Sequence, residues 1–331
     1  MRIVCFHLNQ VGDLLFSLPA LKCLRDHFCD AEIASVARPG HAEVLASACI
    51  VDRVIPRGTG LNLAKLAMIH DLVKAGFDLA VVFSQSAECA VLSWLTRAPC
   101  RVGFVNTSLG FLLTDQVEFK HPPSNENNLR LVRALGCEIT CRDYSGLLKP
   151  TENQIARAER ILTQNGIDLA KPIAALSPGT SGRRNVKEWT DEGFARVGRH
   201  MLDRGVQVVI VGSEPASGIV SLESRIVDLS GCTDLAEAMA ILRKSTVVVA
   251  VDSGVLHLAA AVGTIVVGLY GPSDPIITGP QGSGHVVLTS GAECSPCTKT
   301  TCATSRRCMT DLKPERVIEA VDSLLEEVTL L

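Results

Sequence analysis

Four polar segments directly follow strand-like apolar runs, and they carry the side chains best suited to chemistry. The first is NQVGD, residues 9–13, in which Asp13 stands at the start of a helical pattern. A carboxylate there can take a proton from an attacking hydroxyl group, or it can simply stabilise the helix through its dipole. We retain Asp13 as a candidate general base.

The second segment is SPGTSGRRNVKEW, residues 177–189. Its backbone amides, the hydroxyls of Thr180 and Ser181 and the ammonium group of Lys187 suit phosphate oxygens. A solvated basic loop is the alternative interpretation. Trp189 is expected to pack against the protein and hold this loop in place, because a tryptophan buries a large apolar surface.

The third segment is AVDSGVLHLAAAVG, residues 250–263, in which Asp252 and Ser253 end a strand and precede a helix. A diphosphate suits the positive end of that helix. Ordinary capping residues and a core histidine at His257 explain the same pattern equally well. The fourth segment is VGSEP, residues 211–215, where Glu214 either accepts hydrogen bonds from a ribose diol or is an exposed loop glutamate.

Strand-like and helix-like runs alternate along the chain, which predicts parallel sheets with helices on both faces. Pro19 is expected to end or kink the first helix. A polar stretch between residues 119 and 143 separates two such halves. We therefore place Rossmann-like, doubly wound domains at 1–155 and 156–313, followed by an amphipathic terminal helix at 314–331.

Doubly wound domains bind ligands at the carboxyl ends of their strands, where the strand order reverses. The four polar segments occupy such strand ends in the predicted order. The chain contains neither the GxGxxG fingerprint of dinucleotide enzymes nor a GxxxxGK[ST] phosphate loop. An oxidoreductase and an ATPase are therefore both disfavoured.

The composition of the chain limits its possible partners and its location in the cell. The net charge of -3 and the pI near 6.3 give no general attraction to nucleic acid. Most of the thirteen cysteines are dispersed, which indicates a reducing compartment, and no secretion signal is visible, so we expect a cytoplasmic protein. The apolar stretch 254–271 is divided by Gly263 into a helix-like and a strand-like piece, so we interpret it as a buried α/β unit rather than a membrane span.

The four segments together resemble glycosyltransferase family 9, the bacterial ADP-heptose:lipopolysaccharide heptosyltransferases. That family has a G-D loop before a proline-containing helix, H-P-G followed by K-x-W, G-x-x-E, and D-S-G-x-x-H-L-A-A-A. The chain reads VGDLLFSLPALKCLR, SPGTSGRRNVKEW, VGSEP and DSGVLHLAAAVGT in this order, and YGPSDP follows. One departure is Ser177, where the family usually has histidine, so any role that needs an imidazole is absent there.

The resemblance implies the GT-B architecture, with an acceptor-binding N-terminal domain, a donor-binding C-terminal domain and a last helix that crosses back to the first domain. It implies inverting transfer from an ADP-sugar with no metal required, Asp13 as general base, and Lys187 stabilising the leaving diphosphate. The implied donor-binding residues are Ser177, Thr180, Ser181, Glu214, Asp252, Ser253, Gly254 and His257.

A lipid-linked saccharide, the lipopolysaccharide inner core, is the acceptor that the resemblance implies. Such a partner brings the enzyme into peripheral contact with the cytoplasmic face of the inner membrane. A phosphorylated acceptor also calls for cations in the N-terminal domain, and the candidates are Arg38, Arg57 and Arg101. Three alternatives remain: another sugar or acceptor, a UDP- or GDP-linked donor, or a nucleotide-sugar-binding protein without catalysis.

A cysteine cluster near the C-terminus has the pattern C-x2-C-x4-C-x5-C, formed by Cys294, Cys297, Cys302 and Cys308. The first pair has the spacing of metal ligands. Free thiols or one disulfide account for the pattern as well, and similar cysteine-rich tails occur in the family. We interpret the cluster as a structural feature of the fold, with a bound zinc or iron–sulfur site as the less favoured alternative.

Overall fold

The computed structural model describes residues 1–7, 10–58, 63–105, 107–120, 124–180 and 185–329. The chain forms two compact units, Met1–Lys149 and Pro150–Leu331. The sequence prediction placed the boundary after residue 155, which falls inside helix α6 (Glu152–Gln164). That helix begins at a capping box between Thr151 and Gln154 and packs on α9 of the second unit, so the whole helix belongs there.

The first unit is a parallel six-stranded sheet with the strand order β3-β2-β1-β4-β5-β6. Its strands are β1 (Arg2–Phe6), β2 (Glu32–Ala37), β3 (Arg53–Pro56), β4 (Leu79–Val82), β5 (Cys100–Phe104) and β6 (Asp115–Val117). Its helices are α1 (Val11–His27), α2 (Ala42–Ser47), α3 (Leu63–Lys74), α4 (Ala87–Leu95) and α5 (Ser124–Ala134), with 3-10 turns at Pro39–His41 and Gly110–Leu112.

Helix α1 runs through Pro19 without ending, so of the two expected effects of this proline the end of the helix does not occur. The missing proline N–H costs one helical hydrogen bond. Most of the helix, from Leu14 to Leu24, is buried against the sheet and α5, and this packing offsets that cost.

The second unit repeats the topology, with the strand order β12-β11-β10-β7-β8-β9 and parallel pairing throughout. Its strands are β7 (Ile173–Ser177), β8 (Gln207–Ile210), β9 (Val227–Asp228), β10 (Val247–Val251), β11 (Ile265–Tyr270) and β12 (Val286–Thr289). Its helices are α6, α7 (Asp191–Asp203), α8 (Ser217–Leu222), α9 (Leu235–Lys244), α10 (Gly254–Ala261), α11 (Pro275–Thr278), α12 (Arg307–Thr310) and α13 (Pro314–Thr329), with a 3-10 turn at Asn185–Lys187.

Strands β7 and β10 lie at the centre of the second sheet, and every residue of both is buried. Their β-branched and aliphatic composition is typical of a parallel strand that is covered on both faces. The strand order reverses between them, so their carboxyl ends mark the point where a doubly wound sheet leaves a crevice for a ligand.

The terminal helix α13 begins at Pro314 as predicted. Its apolar stripe of Val317, Val321 and Leu324 joins the hydrophobic core of the second unit, and its packing on the N-terminal domain stays a prediction. Asp322 of the same helix is hydrogen-bonded to His200 of α7 and forms an ion pair with Arg204, which directly follows α7. The helix is therefore an integral part of the second unit.

The apolar stretch 254–271 forms α10 and β11, both largely buried, which confirms its interpretation as an α/β unit. Across the described ranges, no helix is both long enough and apolar enough to span a membrane.

Candidate functional site

The candidate site lies where the second sheet reverses its strand order. Ser177 is the last residue of β7 and pairs in register with Ala250 of β10, so Asp252 follows two residues beyond on the adjacent strand. Gly254 begins α10 one residue after Ser253, which places the positive end of that helix at the same edge. Four predicted donor residues, Ser177, Asp252, Ser253 and Gly254, thus lie at the carboxyl ends of two adjacent strands.

The centre of the site is a buried ion pair between Lys187 and Asp252. The Nζ atom of Lys187 lies 2.5 Å from Oδ2 of Asp252, and the two side chains are 13% and 6% exposed. Oδ1 of Asp252 faces Nε2 of His257 at 3.7 Å. The structure therefore brings together Lys187 from the second segment with Asp252 and His257 from the third.

Asp252 is an anion at neutral pH despite its burial. Burial by itself raises the pKa of this carboxyl, but hydrogen bonding with His257 and the positive charge of Lys187 outweigh that effect and hold the pKa well below its usual value. The negative charge of Asp252 attracts the ammonium group of Lys187 and so holds it near the carboxyl end of β10.

Two buried serine hydroxyls at this edge are unpartnered. The Oγ atoms of Ser177 and Ser253 find no hydrogen-bond partner among the described residues. Ser253 stands at the N-cap of α10, yet its side chain makes no capping bond. Buried polar atoms without partners are uncommon in proteins, and here both occur beside a lysine and a helix N-terminus, where the oxygens of an anionic ligand can satisfy them.

Residues before and after Lys187 in its loop are anchored to the protein by their side chains. Trp189 is 5% exposed, donates from Nε1 to the Leu312 carbonyl at 3.0 Å and packs edge-on against Phe194. Thr180, also buried, contacts Glu188 with its Oγ1 3.4 Å from Oε1. The predicted structural role of Trp189 is confirmed.

Two other predicted donor residues are Glu214 and Ser181. Glu214 is exposed in the loop after β8, where a ribose diol can reach it. Ser181 lies outside the described residues, as do the adjacent residues 182–184.

In the first unit, Asp13 is exposed in the first turn of α1. The sequence analysis missed a polar pair between the end of β1 and α1: Nδ1 of buried His7 is 3.0 Å from Oγ of Ser17. Nε2 of the same ring is 3.1 Å from Oγ of Ser35, and the ring stacks on Phe83. The one sequence signal for this pair is that His7 directly follows β1, because polar residues at the carboxyl ends of parallel strands often line a ligand site.

The three candidate acceptor arginines occupy different environments. Arg38 is exposed at the start of a 3-10 turn. Arg57 is buried and forms an ion pair with Glu88, which Lys65 also contacts at 2.8 Å. Arg101 donates to the backbone carbonyls of Ala98 and Leu112, so the bonds of its guanidinium group stabilise the β5 region. Of the three, Arg38 is the most accessible.

All thirteen cysteines lie within the described residues, and each is a free thiol. Within the cysteine cluster, Cys294 and Cys302 are exposed and Cys308 is buried. Burial raises the pKa of the Cys308 thiol, and the other three cysteines of the cluster raise it further. No group of three or more histidine, cysteine or acidic side chains in the described part of the chain is already arranged as a metal site.

Two doubly wound parallel units, with buried cationic and hydroxyl groups at a strand switch point, define a Rossmann-like α/β protein of the GT-B type, as the sequence predicted. A family model described as glycosyltransferase family 9 (heptosyltransferase) matches residues 65–307. The chain therefore belongs to glycosyltransferase family 9 and is a glycosyltransferase.

Relatives match along nearly the whole chain. Lipopolysaccharide heptosyltransferase 2 of Escherichia coli (strain K12) is 26% identical over 344 residues, covering 98% of this chain and 99% of the relative. The structure of E. coli ADP-heptose lps heptosyltransferase II has a TM-score of 0.83 at 23% identity, covering 99% of this chain and 100% of that one. A glycosyl transferase family 9 structure from Veillonella parvula has a TM-score of 0.85 at 21% identity, covering 98% and 97%.

Proposed function

We propose that this chain is an inverting heptosyltransferase that moves a heptose from ADP-heptose to the inner core of lipopolysaccharide. The observation that carries the proposal is the buried Lys187–Asp252 pair beside two unpartnered serine hydroxyls. Family membership supplies the reaction class, and the names of the relatives, lipopolysaccharide heptosyltransferases, supply the donor and acceptor.

The second unit binds the donor in this proposal. Lys187, the Ser177 and Ser253 hydroxyls and the N-terminal amides of α10 hold the diphosphate, and Glu214 holds the ribose diol. Asp252 and His257 lie close enough to Lys187 to orient it and to contact the sugar or phosphate. As the bond between the sugar and the diphosphate breaks, the fixed cation and amides take up the negative charge of the leaving ADP.

The first unit supplies the base. Asp13 takes the proton of the acceptor hydroxyl as its oxygen forms the new bond to the anomeric carbon, opposite the departing ADP. An exposed carboxylate at a helix start is suited to this task, because a bulky saccharide can reach it. Lys187 and the N-terminal amides of α10 then stabilise the charge of the leaving group, so no step needs a metal ion.

The acceptor is proposed to be a saccharide carried on a lipid, which brings the protein to the cytoplasmic face of the inner membrane as a peripheral enzyme. Its phosphates need cations in the first unit. Arg38 is the best placed of the candidates by exposure. The second candidate function is transfer from a different nucleotide sugar, or to a different acceptor, within the same family. Residues that contact the diphosphate do not distinguish one base or sugar from another.

The test is a calorimetric titration of ADP, UDP, GDP and NAD, followed by turnover of ADP-heptose on a heptose-deficient lipopolysaccharide core. We expect selective ADP binding and heptose transfer with inversion at the anomeric carbon. Tight UDP or GDP binding without ADP binding would contradict the donor. ADP binding without transfer or donor hydrolysis would leave a binding protein and overturn the enzyme role.

A further inference from the structure

The large hydrophobic side chains that the first unit exposes are concentrated on three neighbouring segments. Among the described residues of this unit, all of them except Met1 belong to α3, to α4 or to the connection between β5 and β6. Together they make up the apolar surface: Leu63, Leu66, Trp94, Val105, Leu109 and Phe111. Leu63 and Phe111 are 84% and 76% exposed. Exposed apolar surface that is concentrated in this way marks a site of interaction with a partner.

The segments that carry the apolar surface lie against one another on one face of the sheet. Helix α4 contacts both α3 and the 3-10 turn Gly110–Leu112. The buried residues of these segments pack in one hydrophobic cluster with the sheet: Met68, Leu72, Cys89, Leu92 and Leu113. The inward side of each segment is therefore already covered, and the exposed residues form a second apolar side that faces outward.

The connection between β5 and β6 holds its exposed side chains in place. The side chain of Gln116 donates to the Gly110 carbonyl at 3.1 Å, and that of Arg101 donates to the Leu112 carbonyl at 2.8 Å. Leu109 has a φ of 62°, in the left-handed region that a leucine rarely adopts. Strained backbone of this kind is concentrated at functional sites. It indicates that the connection presents its apolar side chains to a partner.

The charges around the apolar surface attract an anionic partner. From Cys89 to Thr114 the sequence contains Arg97 and Arg101 and no acidic residue, whereas the whole chain has a net charge of -3. Arg97 is exposed and directly follows the last turn of α4, which carries Trp94. A cation beside exposed apolar side chains is typical of surfaces that bind the boundary of an anionic membrane.

An open groove beside the end of β6 adds further cations. It has a volume of about 470 Å³ and is lined by Val117, Glu118, Lys120, Arg130, Arg133 and Ala134. Glu118 forms an ion pair with Lys120 at 3.2 Å, and Glu126 forms one with Arg133 at 3.3 Å. Arg130 has no ion-pair partner among the residues that the structure describes. Its guanidinium group can therefore bind phosphate oxygens that enter the groove.

We propose that the apolar surface and the groove at Arg130 dock the first unit on an anionic phospholipid bilayer. Phe111, Trp94 and the exposed leucines enter the interfacial region, which favours a tryptophan ring, and Arg130 binds a headgroup phosphate. A symmetric second copy of the chain would bring the same cations against each other, so it lacks the matching charge. The choice of a bilayer rests on the proposed function, in which the acceptor is carried on a lipid.

The position of the apolar surface suits such an acceptor. Val105 directly follows β5, and Leu63 begins the helix after β3. Because the strands of this sheet are parallel, both residues lie toward the edge at which Asp13 and Arg57 follow β1 and β3. A lipid held in a bilayer at this edge carries its saccharide toward Asp13.

The experiment measures binding of the full chain to phospholipid vesicles by flotation, without nucleotide or saccharide acceptor. Vesicles of phosphatidylglycerol and phosphatidylethanolamine are compared with vesicles of phosphatidylcholine alone. We expect binding to the anionic vesicles that weakens with added salt, together with a blue shift of the Trp94 fluorescence. Phe111→Ser should bind about 10-fold less tightly, because it removes a buried aromatic ring. Arg130→Gln should bind about 5-fold less tightly, because it removes one cation from the membrane surface.

The matched controls are Ile276→Ser, at a side chain that is 78% exposed in the second unit, and Arg142→Gln, at an exposed arginine outside the groove. Both should bind the vesicles as the parent protein does. Failure of the parent to bind anionic vesicles overturns the proposal, and so does equal binding by Phe111→Ser and Ile276→Ser. A dimer that Phe111→Ser dissociates, without vesicle binding, assigns the surface to a second copy and also overturns it.

Vesicle binding and sugar transfer are measured separately, so the two proposals can fail independently. Phe111→Ser should retain turnover on a de-acylated, water-soluble acceptor and lose about 10-fold on an acceptor embedded in vesicles. Equal turnover of parent and Phe111→Ser on the embedded acceptor counts against docking through this surface. Absence of turnover by the parent on both acceptors contradicts the transferase proposal alone, because the flotation result does not depend on catalysis.

Discussion

The imidazole of His7, just after β1, and the hydroxyl of Ser17, on α1, are hydrogen-bonded at 3.0 Å. The Ser17 hydroxyl also donates to the Leu14 carbonyl at 2.6 Å, so its oxygen accepts from His7. We therefore assign the ring proton to Nδ1, and Nε2 accepts from Ser35. A neutral ring that joins β1, α1 and β2 fixes the start of the helix on which Asp13 stands.

His7 makes stability depend on pH. Burial lowers the pKa of its imidazole to about 3, with a smaller contribution from His41. Between that value and the usual pKa of about 6.5, the unfolded chain binds a proton that the folded chain does not, so stability falls as the pH drops through this range. His7→Gln keeps a donor and an acceptor but cannot titrate. We expect its urea midpoint to depend less on pH between about 6.5 and 3 than that of the parent.

The control for that experiment is His27→Gln, at the end of α1. Unfolding is followed at matched pH values, and the slope for the parent should exceed that for His7→Gln by up to about 1.4 kcal/mol per pH unit. Equal slopes for the parent and His7→Gln would show that the ring takes up its proton in the folded protein at its ordinary pKa.

Asp13→Asn removes the proposed base while keeping the size of the side chain. We expect ADP affinity and thermal stability to change little, because this side chain is exposed, and the turnover rate to fall by about 10²–10⁴-fold. Asp30→Asn, also exposed in the first unit, is the control and should retain turnover. Turnover of Asp13→Asn within a few-fold of the parent would exclude the assigned role.

Lys187→Met leaves the Asp252 carboxylate buried beside a neutral side chain. We expect weaker ADP binding, by about 10–100-fold for one lost charge-assisted contact, and a loss of about 3–5 kcal/mol of stability. The double variant with Asp252→Asn should recover much of the stability and none of the affinity. Calorimetry and urea unfolding separate the two effects. Recovery of ADP binding in the double variant would show that Lys187 acts only as a counter-ion.

Gly193→Ala tests the support under the lysine loop. A β-carbon there would lie 2.6 Å from the indole ring of Trp189, which is tighter than side chains tolerate, so the ring or the start of α7 must move. We expect a loss of about 1–3 kcal/mol of stability from overpacking and weaker ADP binding. Gly40→Ala, where the added carbon meets nothing within 4 Å, should change neither quantity. An unchanged melting temperature in Gly193→Ala would mean that the indole ring is loosely held.

The sequence predicted the two parallel sheets because buried β-branched strands alternate with helical runs and leave few other topologies. It placed Asp252, Ser253 and Lys187 at strand ends, but it could not pair Lys187 with Asp252, since they lie on different loops and meet only when β7 and β10 become neighbours. The sequence could not show that α13 joins the core of the second unit for a similar reason: an apolar stripe shows that a helix is covered, without showing which surface covers it.

The burial of Trp189 gives the protein an optical reporter. The chain has two tryptophans, Trp94 and Trp189, and Trp94 is 51% exposed on α4. Replacing Trp94 by phenylalanine would leave a single indole ring, two residues from Lys187 and hydrogen-bonded to Leu312. Its fluorescence would then follow nucleotide binding at the lysine and the attachment of the C-terminal segment, without any added label.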